Sequence, residues 1–257
     1  MGEEASGDGI RTFADHFSDT AGGYAAHRPT YPAALVDFLA GIAPGRALAW
    51  DCGCGSGQLS VLLAGRFARV VATDASARQI AHAAAHPGVE YRCVPAEASG
   101  LADGSVDLAV AAQAVHWFDL AAYYAEVRRV ARPGAAIALV SYGIMQVDAP
   151  LDAVILPFYS AVLGSYWPKE RRHVEEGYRT LDFPFTEIAA PPLAIQVTWR
   201  FPDLMGYVET WSAVRALRQA QGQEPVERFR QSLTEAWRQG PAERAIRFPL
   251  SIRAGRL

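Results

Sequence analysis

The sequence predicts a doubly wound α/β fold, in which helices cover both faces of a mostly parallel sheet. Short apolar segments alternate with helical patterns from residue 33 to residue 141. A glycine-rich turn at residues 48–60 joins the first of these segments to a helix. This alternation is typical of β-α-β units, whose ligands bind at the carboxyl ends of the strands. We therefore expect the functional residues at that edge of the sheet.

The glycine turn is the clearest motif in the chain. An apolar segment leads into Asp51, and Gly53, Gly55 and Gly57 then alternate before leucines recur at helical spacing. The pattern is D-x-G-x-G-x-G, and the third glycine of the dinucleotide-binding pattern G-x-G-x-x-G is missing. Such a turn lets the backbone approach a nucleotide cofactor closely. An ordinary strand-to-helix turn, or a dinucleotide site with a degenerate third glycine, remains an alternative.

A second acidic residue follows the next apolar segment. Asp74 lies about 20 positions after Gly53, which is where a mononucleotide-binding unit places the acid that holds the ribose hydroxyls. A carboxylate accepts hydrogen bonds from both hydroxyls at once. Asp74 as a simple cap or loop acid is the alternative, and Ser76 is expected to cap the following helix.

The motif and its flanking strand and helix resemble the class I S-adenosylmethionine (SAM)-dependent methyltransferases. The nearest likeness is to type 11 and trans-aconitate-methyltransferase-like enzymes, and it is most specific over residues 12–145. The resemblance implies SAM as cofactor and S-adenosylhomocysteine (SAH) as product. It also implies a Rossmann-like sheet of seven strands, the last antiparallel, with a helical cap inserted after strand 5.

The same resemblance implies a row of cofactor contacts. Residues around Arg28 match a segment that folds over the cofactor in relatives; Arg28 meets the SAM carboxylate, an acidic substrate or an ordinary acid. The loop after the third strand lies along the adenine, although Pro95 replaces the acid found in many relatives. The implied cofactor site comprises Tyr24, Arg28, Asp51, Gly53, Gly55, Gly57, Asp74, Ala75, Ala96, Glu97 and Gln113, with Gln113 nearest the methionine part of SAM.

The acceptor side is less defined. His116 is either a general base or a structural histidine that holds its loop, and it is the single weak catalytic candidate. Aromatic residues next to Arg and His in the insertion suggest an apolar ligand with an acid group; alternatively, most of them form the core of the cap itself. The candidate acceptor contacts are Trp117, Tyr142, Tyr166, Trp167 and Arg171.

Three regions are expected. Residues 1–145 hold the lid segment and the SAM-binding core, residues 146–190 the helical cap, and residues 191–257 the strands and helices that complete the sheet. A net charge of −3 gives no reason to expect nucleic acid as a partner. Three cysteines without a ligand set argue against a disulfide framework and a metal site, and favour the cytoplasm. No apolar run is long enough to span a membrane.

These observations predict a transferase of class EC 2.1.1.-, a cytoplasmic enzyme that moves a methyl group from SAM to a small-molecule acceptor. Because no compelling base is present, a carboxylate or otherwise acidic or aromatic metabolite is favoured. A non-catalytic SAM- or SAH-binding protein and a nicotinamide-dependent dehydrogenase are the competing hypotheses. The sequence defines neither the acceptor, nor whether O, N, C or a carboxylate is methylated, nor the oligomeric state.

Overall fold

The computed structural model of the chain describes residues 29–257. The strands are β1 (Leu48–Cys52), β2 (Arg69–Asp74), β3 (Val89–Cys93), β4 (Val106–Ala112), β5 (Ala131–Tyr142), β6 (Thr186–Ile188), β7 (Ala194–Arg200) and β8 (Glu243–Arg256). The α-helices are α1 (Ala33–Ile42), α2 (Gln58–Ala64), α3 (Ala77–Ala81), α4 (Leu120–Val130), α5 (Ala149–Pro157), α6 (Arg171–Glu175), α7 (Phe201–Glu209), α8 (Ser212–Gln221) and α9 (Glu224–Trp237).

The first five strands form a parallel sheet in the order β3-β2-β1-β4-β5. β1 is buried along its whole length and β4 along nearly all of it, as expected where helices cover both faces. The chain proceeds from β1 to β2 and β3 on one side, then returns to place β4 on the other side of β1. The reversal lies between β1 and β4, and a crevice at such a point is where open α/β sheets bind ligands. The predicted doubly wound fold is confirmed.

The far side of the sheet is antiparallel. β8 is 14 residues long and pairs antiparallel with β5, with β6 and with β7. Over residues 29–257 the sheet therefore has eight strands, one more than the seven expected. The additional strand, β6, has only three residues and two of them are exposed, so it lacks the apolar alternation that would have predicted it.

A helical layer lies beyond β5. The segment after β5 forms α5, a π-helical turn (Phe158–Val162), a 3-10 turn (Gly164–Tyr166) and α6. α5 packs against α9, and the ring of Phe158 stacks on Phe229 with centroids 3.9 Å apart. The chain breaks between α7 and α8, where Trp211 is extended. Within residues 29–257, no helix has the length and apolarity needed to cross a membrane.

Candidate cofactor and acceptor site

Asp51 is the penultimate residue of the buried strand β1, two positions before the first glycine of the turn. Its side chain is 1% exposed. The Ser60 hydroxyl, on the first turn of α2, donates to Asp51 Oδ2 at 2.6 Å, whereas Oδ1 is buried with no hydrogen-bond partner among residues 29–257. Burial raises the pKa of Asp51 to about 7; the bond from Ser60 opposes this rise and the charge of Asp74 adds to it. A buried acceptor without a donor is costly, so this oxygen marks a place where a donor can bind.

The three glycines of the turn occupy backbone conformations that side chains rarely adopt. Gly53, Gly55 and Gly57 have φ angles of 66°, 54° and 81°. A Cβ on Gly53 would lie 3.0 Å from the Phe118 ring, and one on Gly57 would lie 2.8 Å from ring carbons of Tyr91. The turn therefore requires glycine both for its dihedral angles and for its close contacts.

Asp74 connects the end of β2 to the glycine turn. Its Oδ2 accepts the Gly55 backbone N–H at 2.8 Å, and its Oδ1 accepts the Ser76 backbone N–H at 2.8 Å. These two bonds hold the Asp74 carboxylate between the glycine turn and the start of α3. Ser76 caps α3 as predicted, accepting from the Gln79 N–H, and Ala75 between them is exposed.

The loops after β3 and β4 lie at the same edge. Ala96 is buried, and the Glu97 carboxylate accepts the backbone N–H of Asp119, the residue that caps α4. Gln113 has a left-handed φ of 58°, and its side-chain Nε2 donates to the Tyr142 carbonyl at 2.8 Å. A residue with a side chain in this conformation is strained, and such strain concentrates at functional sites.

His116 lies in a short 3-10 turn (Val115–Trp117) directly after β4. Its Nδ1 is 2.9 Å from the hydroxyl of Tyr178, and its ring lies tilted against Trp117 with centroids 4.8 Å apart. Burial, followed by the nearby positive groups Arg171 and His173, lowers the pKa of His116 to about 3. The imidazole is therefore neutral at physiological pH.

The predicted acceptor contacts fall into two groups. Trp167 and Arg171 come together, with the guanidinium 4.9 Å from the indole centroid, and the Tyr166 hydroxyl accepts a bond from Gln221. The ring of Tyr142, in contrast, is buried in the main core against Phe248. The backbone carbonyl of Tyr142, which accepts the hydrogen bond from Gln113, is the part of this residue that lies at the carboxyl edge of the sheet.

Two residues of this region, Tyr159 and Trp211, were not among the predicted acceptor contacts. Tyr159 accepts from Arg171 Nε at 3.0 Å and donates to the Glu175 carboxylate at 2.7 Å. Trp211, which lies between α7 and α8, packs edge-on against Tyr159 with the ring centroids 5.5 Å apart. Aromatic enrichment indicated that a cluster exists, but only the fold shows which members meet. Tyr24 and Arg28 lie outside the described residues.

Known proteins resemble the chain over most of its length. The family model described as "Methyltransferase domain" matches residues 50–139. A Dictyostelium discoideum protein provisionally described as a methyltransferase is 31% identical over 230 residues, 88% of each chain. The chain belongs to the class I methyltransferases that use S-adenosylmethionine.

Two further similarities accompany this assignment. A structure from Anaeromyxobacter dehalogenans, provisionally described as a type II methyltransferase, is 50% identical to this methyltransferase, with a TM-score of 0.84. The match covers 89% of this chain and 97% of that one. A malonyl-[acyl-carrier protein] O-methyltransferase from Dechloromonas aromatica is 38% identical over 114 residues, 42% of this chain and 41% of that protein.

The edge of the sheet fits an adenosyl sulfonium with an amino-acid tail. Left-handed glycines carry the backbone of the turn past the end of β1, and Asp51 Oδ1, which has no hydrogen-bond partner among residues 29–257, provides a negative partner for a donor or a cation. The Asp74 carboxylate, a group that accepts hydrogen bonds from hydroxyls, lies at the end of the neighbouring strand β2. SAM is the cofactor of this methyltransferase, and these residues match its chemistry.

Proposed function

We propose that this methyltransferase acts on a small molecule that carries a carboxylate beside an apolar or aromatic body. The observation that carries the proposal is the environment of Arg171, a cationic side chain held among aromatic rings next to the cofactor edge. The malonyl-directed relative named above acts on a group that ends in a carboxylate, which agrees with the proposal. The narrower trans-aconitate-methyltransferase-like likeness also implies an acidic acceptor and belongs to the same proposal.

The geometry of Arg171 leaves its outer nitrogens available. Its Nε donates to the Tyr159 hydroxyl, and its guanidinium carbon lies 4.9 Å and 5.8 Å from the Trp167 and Tyr159 ring centroids. The nearby Glu175 carboxylate accepts from Tyr159, and no carboxylate among residues 29–257 forms an ion pair with Arg171. A guanidinium fixed in this way presents two parallel N–H groups, which match the two oxygens of a carboxylate.

The position of Arg171 supports a role at the acceptor. It begins α6, and α6 packs against both β5 and the 3-10 turn that carries His116. That turn follows β4, one of the two strands at the reversal of the sheet. We assign residues 146–190, together with Trp211 and Phe229, which pack on them, the role of the cap over the acceptor pocket.

The proposed cofactor contacts lie along the same carboxyl edge of the sheet. Gly53, Gly55 and Gly57 would carry the amino-acid end and ribose, Asp74 the ribose hydroxyls, and the loop at Ala96 and Glu97 the adenine. Gln113 would lie nearest the methionine part, with Asp51 beneath the turn. SAM supplies a methyl group on a positively charged sulfur, which is a good leaving group, so the main tasks of the chain are orientation and exclusion of water.

A carboxylate acceptor agrees with the absence of an evident base. Carboxylates are already ionised at neutral pH, so no proton has to be removed before the methyl group is transferred. Alignment of two reactants in one site accounts for as much as ~7–11 kcal/mol of a barrier. Arg171 would provide that alignment by fixing one end of the acceptor against an aromatic wall.

An acceptor panel tests the proposal. The enzyme is incubated with methyl-labelled SAM and pairs of aryl and alkyl compounds that differ only in carrying a carboxylic acid or its amide. We expect label transfer to acids and little to amides. Equal transfer to both members of each pair, or transfer to neutral alcohols and amines alone, contradicts the proposal.

Substitution of Arg171 provides the matched test. Arg171→Met keeps much of the side-chain length but removes the charge, and we expect kcat/KM for the acid to fall about 10- to 150-fold, as for loss of a charged hydrogen bond worth about 1.5–3 kcal/mol. Arg172→Met, at the exposed neighbouring position of the same helix, should change kcat/KM little. SAH affinity, measured by calorimetry, should be the same in both variants. An equal effect of the two substitutions would show that Arg171 has no specific role.

A further inference from the structure

The contact between His116 and Tyr178 determines which ring nitrogen of the histidine carries the proton. The Tyr178 side chain is fully buried, and burial raises the pKa of its phenol, so the hydroxyl keeps its hydrogen. That hydrogen needs an acceptor, because a buried O–H without one is costly. Among the described residues, the acceptor within reach is His116 Nδ1, 2.9 Å away.

The consequence is a single tautomer. If Nδ1 accepts from Tyr178, a neutral imidazole must carry its hydrogen on Nε2. The opposite arrangement, with Nδ1–H donating to the phenol oxygen, would leave the buried phenol hydrogen unpaired. Three titratable groups face His116 from the packed elements: Arg171 and His173 of α6, and the Tyr178 phenol. Arg171 and His173 disfavour a positive charge on the imidazole ring, and the neutral phenol adds no charge.

We propose that His116, oriented by Tyr178, binds the acceptor as a hydrogen-bond donor through Nε2–H and does not remove a proton from it; this rests on the proposed carboxylate acceptor. No protein group among residues 29–257 bonds to Nε2. Arg171 is close enough to His116 to affect its protonation, and the helix it begins packs on the His116 turn. His116 and Arg171 then donate to the same acidic group, and Tyr178 is a positioning residue that acts through His116.

Nitrogen NMR on the enzyme without acceptor tests the tautomer directly. In long-range proton–nitrogen correlation spectra, we expect the His116 ring to show a protonated Nε2 and an unprotonated Nδ1 throughout pH 5–9. The signals are assigned by their loss in His116→Gln. In Tyr178→Phe, which loses the donor to Nδ1, the ring should shift toward a mixture of tautomers. A protonated Nδ1 in the wild type, or titration of His116 near pH 6.5, overturns the proposal.

Kinetics with the acceptor found in the panel separate donor from base. His116→Gln retains an N–H donor at a position similar to Nε2 and should stay within a few-fold of wild-type kcat/KM. His116→Phe removes the donor and should lower kcat/KM by about 10-fold or more. If His116 were a base, both variants would have equally low kcat/KM. The pH profile of wild-type activity would then show an ionisation that is absent from the profiles of both variants.

The two proposals fail in different ways. If the panel contains no methylated acid, the proposed function fails while the NMR result still decides the tautomer. If acids are methylated but Nδ1 carries the proton, or Gln is no better than Phe, the donor role of His116 fails alone. Unchanged SAH affinity in Tyr178→Phe and His116→Phe shows that the variants are folded and that the cofactor edge is intact.

Discussion

At the scale of single residues, Asp51 combines burial with an oxygen that has no partner in the described part of the chain. Its pKa lies at about 7 in the folded chain instead of 3.8, because burial disfavours the carboxylate. Below pH 3.8 the group is protonated in both folded and unfolded chains and costs nothing. Between the two values the folded state holds a proton that the unfolded state has released, so the free energy of unfolding falls as pH rises, and the cost remains above pH 7.

Asp51→Asn should therefore stabilise the cofactor-free enzyme in a pH-dependent way. The amide has the shape of the carboxylate and can accept from Ser60 but cannot ionise. We expect the free energy of unfolding of the variant, relative to wild type, to increase by about 2–3 kcal/mol at most between pH 5 and pH 8, since one pKa unit corresponds to about 1.4 kcal/mol. Urea unfolding of variant and wild type at pH 5 and pH 8 measures this difference in the free energy of unfolding.

The exposed Asp182→Asn serves as the control, and its effect should not change over this pH range. A constant difference between Asp51→Asn and wild type would show that Asp51 does not titrate in this window. Cofactor affinity should fall in Asp51→Asn at pH 8, because the negative partner beneath the glycine turn is gone.

Local motifs explain which residues could be predicted. Asp51, Asp74 and the cap Ser76 were all indicated by neighbours in sequence, and the structure confirms the cap. The partner of His116 is 62 positions away in the chain, so no local pattern indicates it. The prediction that His116 is either a base or structural therefore lacked the contact that determines its tautomer.

At the scale of elements, the glycine turn combines backbone strain with close packing, and substitution can separate the two. Gly57 and Gly134 both have left-handed backbones, with φ angles of 81° and 75°. A Cβ on Gly57 would collide with Tyr91, whereas one on Gly134 would meet nothing within 4 Å. Both alanine variants should lose about 1–2 kcal/mol through backbone strain alone.

Gly57→Ala should lose more stability than Gly134→Ala, and it should weaken SAH binding while Gly134→Ala leaves binding unchanged. The reason is that α2 and the turn must move to relieve the collision with Tyr91. Urea unfolding gives the stability difference and calorimetry the affinity. Equal stability losses in the two variants would show that the turn has room that the structure does not display.

Elements with strong patterns were predicted and those held by tertiary contacts were not. The parallel strands are continuous apolar runs, so the sequence indicates them directly. β6 is short and mostly exposed, and it exists because β8 offers a free edge. The break between α7 and α8 places Trp211 among Tyr159 and Trp167, so packing overrides the local helical pattern there.

At the scale of the whole molecule, the cap and the sheet share one core. Phe158 of the inserted segment stacks on Phe229 of α9, and both belong to the same buried cluster as the residues of β4 and β5 that face it. We therefore expect one cooperative unfolding transition for the described part of the chain.

Phe229→Ala tests this coupling. Removal of the buried ring should cost about 3–5 kcal/mol and lower the stability of cap and sheet together. Far-UV circular dichroism and tryptophan fluorescence in urea should give coincident midpoints in wild type and variant. Val162→Ala, an exposed position in the π-helical turn, should change the midpoint little. A fluorescence transition that precedes the dichroism transition would mean that the cap unfolds separately.

The long strand β8 has a practical consequence for exchanging pockets between related enzymes. It hydrogen-bonds to β5 of the cofactor-binding half and also to β6 and β7, which follow the inserted helices α5 and α6 in the chain. A cap taken from a related enzyme without its own β6, β7 and β8 would have to pack against strands of a different sequence. A chimaera should therefore take β6, β7 and β8 from the same enzyme as the cap, with the junction directly after β5. This design is the most compatible with a new acceptor specificity on an unaltered cofactor edge.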